Sequence, residues 1–117
     1  NVDLDGWIID AGQPTTHFNV LERDGLDPRL IRVDENSALY YIDEKTKISN
    51  MLLISYTRDL EGRCSQNRVL YDTLKCFNKD AKVTLKIYEG NHCDLTSIKY
   101  RNKYAYTNIV NIFLKEI

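Results

Sequence analysis

The sequence predicts an α/β protein with three layers: a parallel sheet with flanking helices, in the order strand, helix, strand, helix, strand, helix. Three observations predict it. Met51-Leu52-Leu53-Ile54 is a continuous apolar run without alternation, the mark of an interior strand covered on both faces. The stretch from Cys64 to Phe77 repeats apolar residues at helical spacing. Lys82 to Tyr88 alternates strictly, with Val83, Leu85 and Ile87 on one side and Lys82, Thr84 and Lys86 on the other. Strands that alternate with helices pair in parallel through right-handed crossovers.

Each element follows in chain order. Gly6-Trp7-Ile8-Ile9-Asp10 reads as a buried interior strand closed by the turn Ala11-Gly12-Gln13-Pro14. Thr15 or Thr16 is expected to cap a short helix through Phe18, Val20 and Leu21 that ends near Gly25. Ser37 is expected to cap another short helix through Leu39, Tyr40 and Tyr41. The second strand runs from Asn50 to Ser55, and Tyr56 to Gly62 form a loop. On the following helix, begun by Ser65 or just before it, Val69, Leu70, Thr73, Leu74 and Phe77 are expected to face inward. Gln66, Asn67, Arg68, Asp72 and Lys75 are expected to face out. The third strand, with outward lysines, reads as a sheet edge, and Glu89-Gly90-Asn91-His92 as its loop. A last helix from Lys103 to Glu116 buries Ala105, Ile109, Ile112, Phe113 and Ile117.

Composition excludes several classes of function. With 16 basic and 17 acidic residues the formal charge is −1, which provides no basic field for nucleic acid. No apolar run approaches the roughly 20 residues that a membrane span needs, and no charged-then-apolar leader is legible. The three cysteines, Cys64, Cys76 and Cys93, include no C-x-x-C pair, which argues against a zinc ribbon or thioredoxin-type motif. They read as reduced thiols and favour a reducing, cytoplasmic compartment. The two histidines and scattered acids have no metal-ligand spacing, so neither metal nor cofactor is expected.

In open parallel sheets chemistry collects at the carboxyl ends of the strands. Three groups fall there: Asp10, Asp59 and His92. An acid followed about 30 residues later by a histidine, each just past a strand, fits two members of a nucleophile–histidine–acid triad. The histidine takes the nucleophile's proton and returns it to the leaving group, and the carboxylate fixes its tautomer. The plain alternatives are a loop histidine bonded to backbone and an acid stabilising a helix N-terminus. Asp10 is a second position for the acid.

Tyr56-Thr57-Arg58-Asp59, then Cys64-Ser65-Gln66-Asn67, Leu70-Tyr71, Leu74-Lys75, Val83 and Tyr88-Glu89-Gly90-Asn91-His92, resemble the C-terminal part of the α/β-hydrolase fold. The segment from Asp34 to Ile42, with Ser37-Ala38-Leu39-Tyr40-Tyr41-Ile42, is similar to the "SPLYHI" segment of its esterases. Asp10 to Leu21 resembles polysaccharide-associated feruloyl/acetylxylan-type esterases. The resemblance implies a serine hydrolase of carboxylic esters, with Asp59 as acid, His92 as base and a small or saccharide-linked ester as substrate. An amidase or serine peptidase of the same fold is the alternative.

Two departures qualify the resemblance. Tyr56 stands where a small residue usually opens the acid loop. The glycines lie at 6, 12, 25, 62 and 90, so neither a G-x-S-x-G elbow nor a Gly-Gly oxyanion segment exists. Residues 1–117 are therefore expected to form a single partial domain, the C-terminal part of a hydrolase whose nucleophile lies elsewhere, and to be inactive alone. The other chemically capable residues read as structural. His17 beside Phe18 is a wall or packing residue, Cys93 adjoins His92 without the geometry of a thiolate pair, and Ser65 and Ser97 lack an elbow. Tyr100, Tyr104 and Tyr106 form part of a surface. An apolar, unpaired Trp7-Ile8-Ile9 edge predicts self-association, a homodimer through the first strand.

Overall fold

The computed structural model describes residues 4–95 and 103–117, the side chains of residues 103 and 104 excepted. Three parallel strands, β1 (Trp7–Asp10), β2 (Asn50–Arg58) and β3 (Lys82–Asn91), form a sheet in that order, with β2 central. The helices are α1 (Phe18–Arg23), α2 (Arg63–Phe77) and α3 (Lys103–Glu116), with a 3-10 turn at Ala38–Tyr41. The predicted order of elements and the parallel pairing are both present.

Alternation along the strands distributes the core between two faces. Ile8, Leu52, Ile54 and Tyr56 join Ile109 and Phe113 of α3 on one face. Ile9, Met51, Leu53 and Val83 join Leu70 and Leu74 of α2 on the other. Leu53 and Ile54 are completely buried on opposite sides, which is why the sequence there is apolar without a period. Each such side chain contributes about 1.5–3 kcal/mol through removal from water.

Several expectations are corrected. β1 pairs with β2 alone among the described residues, as the unpaired Trp7-Ile8-Ile9 edge predicts, but it is not buried: Trp7 is 43% exposed and Ile8 to Asp10 are only partly covered. Its apolar run arises because Ile8 and Ile9 pack on opposite faces. Helix α1 is capped by His17, whose Nδ1 accepts the Asn19 N–H at 3.1 Å. Thr15 and Thr16 are instead drawn inward to Gln66 and Asp34, both at 2.7 Å. The end of α1 is as expected: Gly25, at φ +76°, allows its N–H to reach Glu22 O and the Leu26 N–H to reach Leu21 O. Ser37 precedes the 3-10 turn without capping it, because its hydroxyl donates to Asp34 O. Both β2 and β3 run three residues further than predicted.

The buried face of α2 is rotated from the predicted stripe. Arg63, Gln66, Asn67, Leu70 and Leu74 face inward, while Val69 and Phe77 are exposed. Leu70 and Leu74 meet the sheet, but the first turns meet the Ala11–Thr16 loop, whose backbone carbonyls need donors. The helix begins at Arg63 with Gly62 as its N-cap, and Ser65 lies inside it. In α3, Ile109 and Phe113 are buried and Ala105 and Tyr106 pack beside them. Ile112 falls to the side of that stripe and Ile117 past the helix end, and both are exposed.

Candidate functional site

Strand register brings the candidate acid and base together. Residues Asn50 to Tyr56 pair with Lys82 to Tyr88 one for one, but Arg58 pairs with Asn91. β3 therefore carries one extra residue at Glu89-Gly90, a bulge. Without it, Asp59 would stand opposite Asn91, and the parity of every later residue would flip. With it, the next residues on the two strands are Asp59 and His92, and His92 Nδ1 lies 2.8 Å from Asp59 Oδ1.

Two turns fix the pair. At the end of β2, the Leu60 N–H donates to Asp59 Oδ1 at 2.6 Å, and the Arg63 N–H to Leu60 O at 3.0 Å. At the end of β3, Asp94 Oδ2 accepts the Asn91 N–H at 2.6 Å, and the Asp94 N–H donates to Asn91 O at 3.1 Å. This closes the chain tightly around His92, with Cys93 in the left-handed region at φ +57°. Gly90, at φ +158°, is required here: a Cβ would lie 2.7 Å from the Asp94 carboxylate.

The Asp59 side chain is 1% exposed and that of His92 is 42% exposed. Asp59 Oδ2 is sealed from solvent with no partner among the described residues. Oδ1 takes both donors, so the carboxylate is oriented toward the imidazole. A hydrogen bond from Nδ1–H to Asp59 leaves Nε2 as the acceptor. Nε2 has no partner among the described residues, on a ring half open to solvent. Chemically, the arrangement is an imidazole base backed by a buried carboxylate.

Asp10 does not share this role. Its Oδ1 accepts the Tyr56 hydroxyl at 2.7 Å. Tyr56 is completely buried, and burial together with the Asp10 carboxylate pushes its phenol well above the ordinary tyrosine range. Tyr56, the departure from a small residue in the acid loop, thus ties the ends of β1 and β2 together. Cys93 packs against the core cluster on the α3 face. His17 stacks on Phe18 with ring centres 4.1 Å apart. Tyr106 packs beside Phe113; Ser97 and Tyr100, and the side chain of Tyr104, lie outside the described residues.

Of the residues that hold the neighbouring loop, Gln66 and Asn67 were expected to face solvent, and Arg63 carried no expectation. Asn67, 1% exposed, donates to Gly12 O at 2.9 Å and to Arg63 O at 3.0 Å. Arg63 donates to Ala11 O at 3.2 Å and Gln13 Oε1 at 3.1 Å. Hydrophobic periodicity is blind to such polar packing; the one sequence cue is a Gly- and Pro-containing loop that cannot satisfy its own carbonyls. Among the described residues no group of three His, Cys, Asp or Glu is placed to hold a metal ion, and no helix is long and apolar enough to cross a membrane.

Compared with protein-family models, curated proteins and solved structures, the chain matches none.

Proposed function

We propose that His92 and Asp59 are the base and acid of a Ser-His-Asp triad in an α/β-hydrolase-fold serine esterase. The observation that carries the proposal is the 2.8 Å contact between an exposed imidazole and a carboxylate 99% buried, both at carboxyl strand ends. In this mechanism the serine attacks the acyl carbon. His92 Nε2 accepts the serine proton and returns it to the departing alkoxide, while Asp59 holds the Nδ1 proton and stabilises the imidazolium. The absence of a G-x-S-x-G sequence assigns the serine to polypeptide outside these 117 residues. The substrate class is a small or saccharide-linked carboxylic ester.

Two measurements test it. By ¹⁵N NMR of the 117-residue chain, the neutral His92 ring is expected to carry its proton on Nδ1, and Asp59→Leu to abolish that preference. In a polypeptide that also holds the nucleophile, His92→Ala is expected to lower kcat for an aryl ester by about two orders of magnitude or more. Full activity of His92→Ala in that polypeptide would refute the assignment. Turnover by the 117-residue chain alone that His92→Ala removes would refute an external serine.

A second reading, strand-mediated self-association, is favoured by one observation. The outer edge of β1 has no partner strand among the described residues and carries the half-exposed Trp7.

A further inference from the structure

Beside the acid turn lies a groove that the triad does not use. It encloses about 350 Å³ between α1, residues 28–30 and the first turn of α2. Phe18, Pro28, Leu30 and Leu60 supply apolar walls, and Arg63 and Gln66, 7% and 8% exposed, form the base. Arg63 spends two N–H groups on Ala11 O and Gln13 Oε1. Its Nε and the remaining N–H groups have no acceptor among the described residues, and no described carboxylate lies within ion-pair distance of it. Gln66 accepts the Thr15 hydroxyl on Oε1, and its Nε2 donates to no described residue.

Neither nitrogen belongs to the sealed, unpartnered atoms, which among the described residues are Ser55 Oγ and Asp59 Oδ2. Both therefore reach solvent, and the groove is the opening they line in common. A nearly buried cation without a counter-charge is costly to hold. The Nε–Nη edge of a guanidinium matches a carboxylate with two parallel hydrogen bonds.

We infer that this groove binds a small monocarboxylate carrying an apolar or aromatic ring. The carboxylate sits on Arg63 and the Gln66 amide, and the ring lies against Phe18, Pro28, Leu30 and Leu60. The volume falls within the range of small-ligand pockets. The other charges select for one negative charge rather than several. Glu22 and Glu61 stand exposed along the groove and repel a polyanion, while Arg29 is already paired with Asp27 at 2.8 Å. The site stands independently of whether His92 and Asp59 are catalytic.

NMR titration of the 117-residue chain with benzoate, benzamide and inorganic phosphate tests it. Benzoate is expected to shift the Arg63 Nε–H and Gln66 side-chain amide signals. It should bind at least about tenfold more tightly than benzamide, its neutral analogue, and than phosphate. Gln66→Glu keeps an acceptor for Thr15 but places a negative charge at the base, and it is expected to abolish benzoate binding with the unfolding midpoint retained. Arg63→Met is expected to abolish it too, but also frees the Ala11 carbonyl. Equal binding of benzoate and benzamide, tighter binding of phosphate, or no shift of the two signals at the solubility limit of benzoate would overturn the inference. So would unchanged benzoate binding in a folded Gln66→Glu variant.

Discussion

Tyr56 shows what a single side chain does in this fold. It fills the core on the α3 face, and its hydroxyl is the only part that needs a polar partner, which Asp10 supplies. Removing that hydroxyl leaves a carboxylate with one donor fewer. Tyr56→Phe is expected to cost about 1–2 kcal/mol in urea unfolding at neutral pH. The sign of the pH dependence follows from linkage. The folded-state value is raised, so the unfolded chain loses its phenolic proton first, above about pH 10. The stabilisation is complete below that pH and is lost as the pH rises toward the folded-state value. The difference in unfolding free energy between wild type and Tyr56→Phe should therefore shrink at alkaline pH. A constant difference between pH 7 and pH 11 would contradict it.

Among the elements, α2 and β1 carry the clearest consequences. The first turns of α2 are a polar clamp on the Ala11–Thr16 loop and its later turns an apolar cover for the sheet. One helix thus joins the folding core to the floor of the groove. Among the described residues β1 and β3 are the two sheet edges, and their chemistry differs. β3 carries Lys82 and Lys86, which discourage strand addition. β1 begins Trp7-Ile8-Ile9 without a charge before Asp10, so under the proposed self-association it is the edge expected to take up another strand. Light scattering after size exclusion is expected to show a dimer or larger species for wild type and a smaller one for Trp7→Lys. A clean monomer for wild type at high concentration would remove β1 as an association surface.

For the molecule as a whole, the features legible in the sequence were those with one dominant cause. The unbroken apolar run Met51-Leu52-Leu53-Ile54 admitted only a strand covered twice. Strict alternation from Val83 to Ile87 identified an edge. The positions of Asp59 and His92 at neighbouring strand ends were legible from the strand pattern, and the register brings the two within 2.8 Å. The bulge that makes them meet was not visible, because Gly90 serves equally as a loop residue in the sequence. Nor was the cap of α1, where three neighbours, Thr15, Thr16 and His17, could each accept the bond and long-range partners claimed two of them. The inward face of α2 was misread for the same reason: Gln66 and Asn67 are buried against the Thr15 hydroxyl and the Gly12 carbonyl, each 50 or more residues away, and helical periodicity contains no such information.

The register between β2 and β3 also has a kinetic meaning. The unit from Asn50 to Asn91 is a continuous strand–helix–strand segment, whereas β1 reaches β2 only after the long excursion between Asp10 and Asn50. Closing that longer loop costs more chain entropy, and non-local parallel pairing is slow. Native-state hydrogen exchange is expected to show amides of β2 facing β3 outlasting those of β1, and β1 opening without loss of β2–β3 protection. Equal protection of all three strands would argue for a single cooperative unit. In that order of assembly, Asp59 and His92 reach each other within the earliest piece of the chain to fold, before the edge strand and its loop have docked.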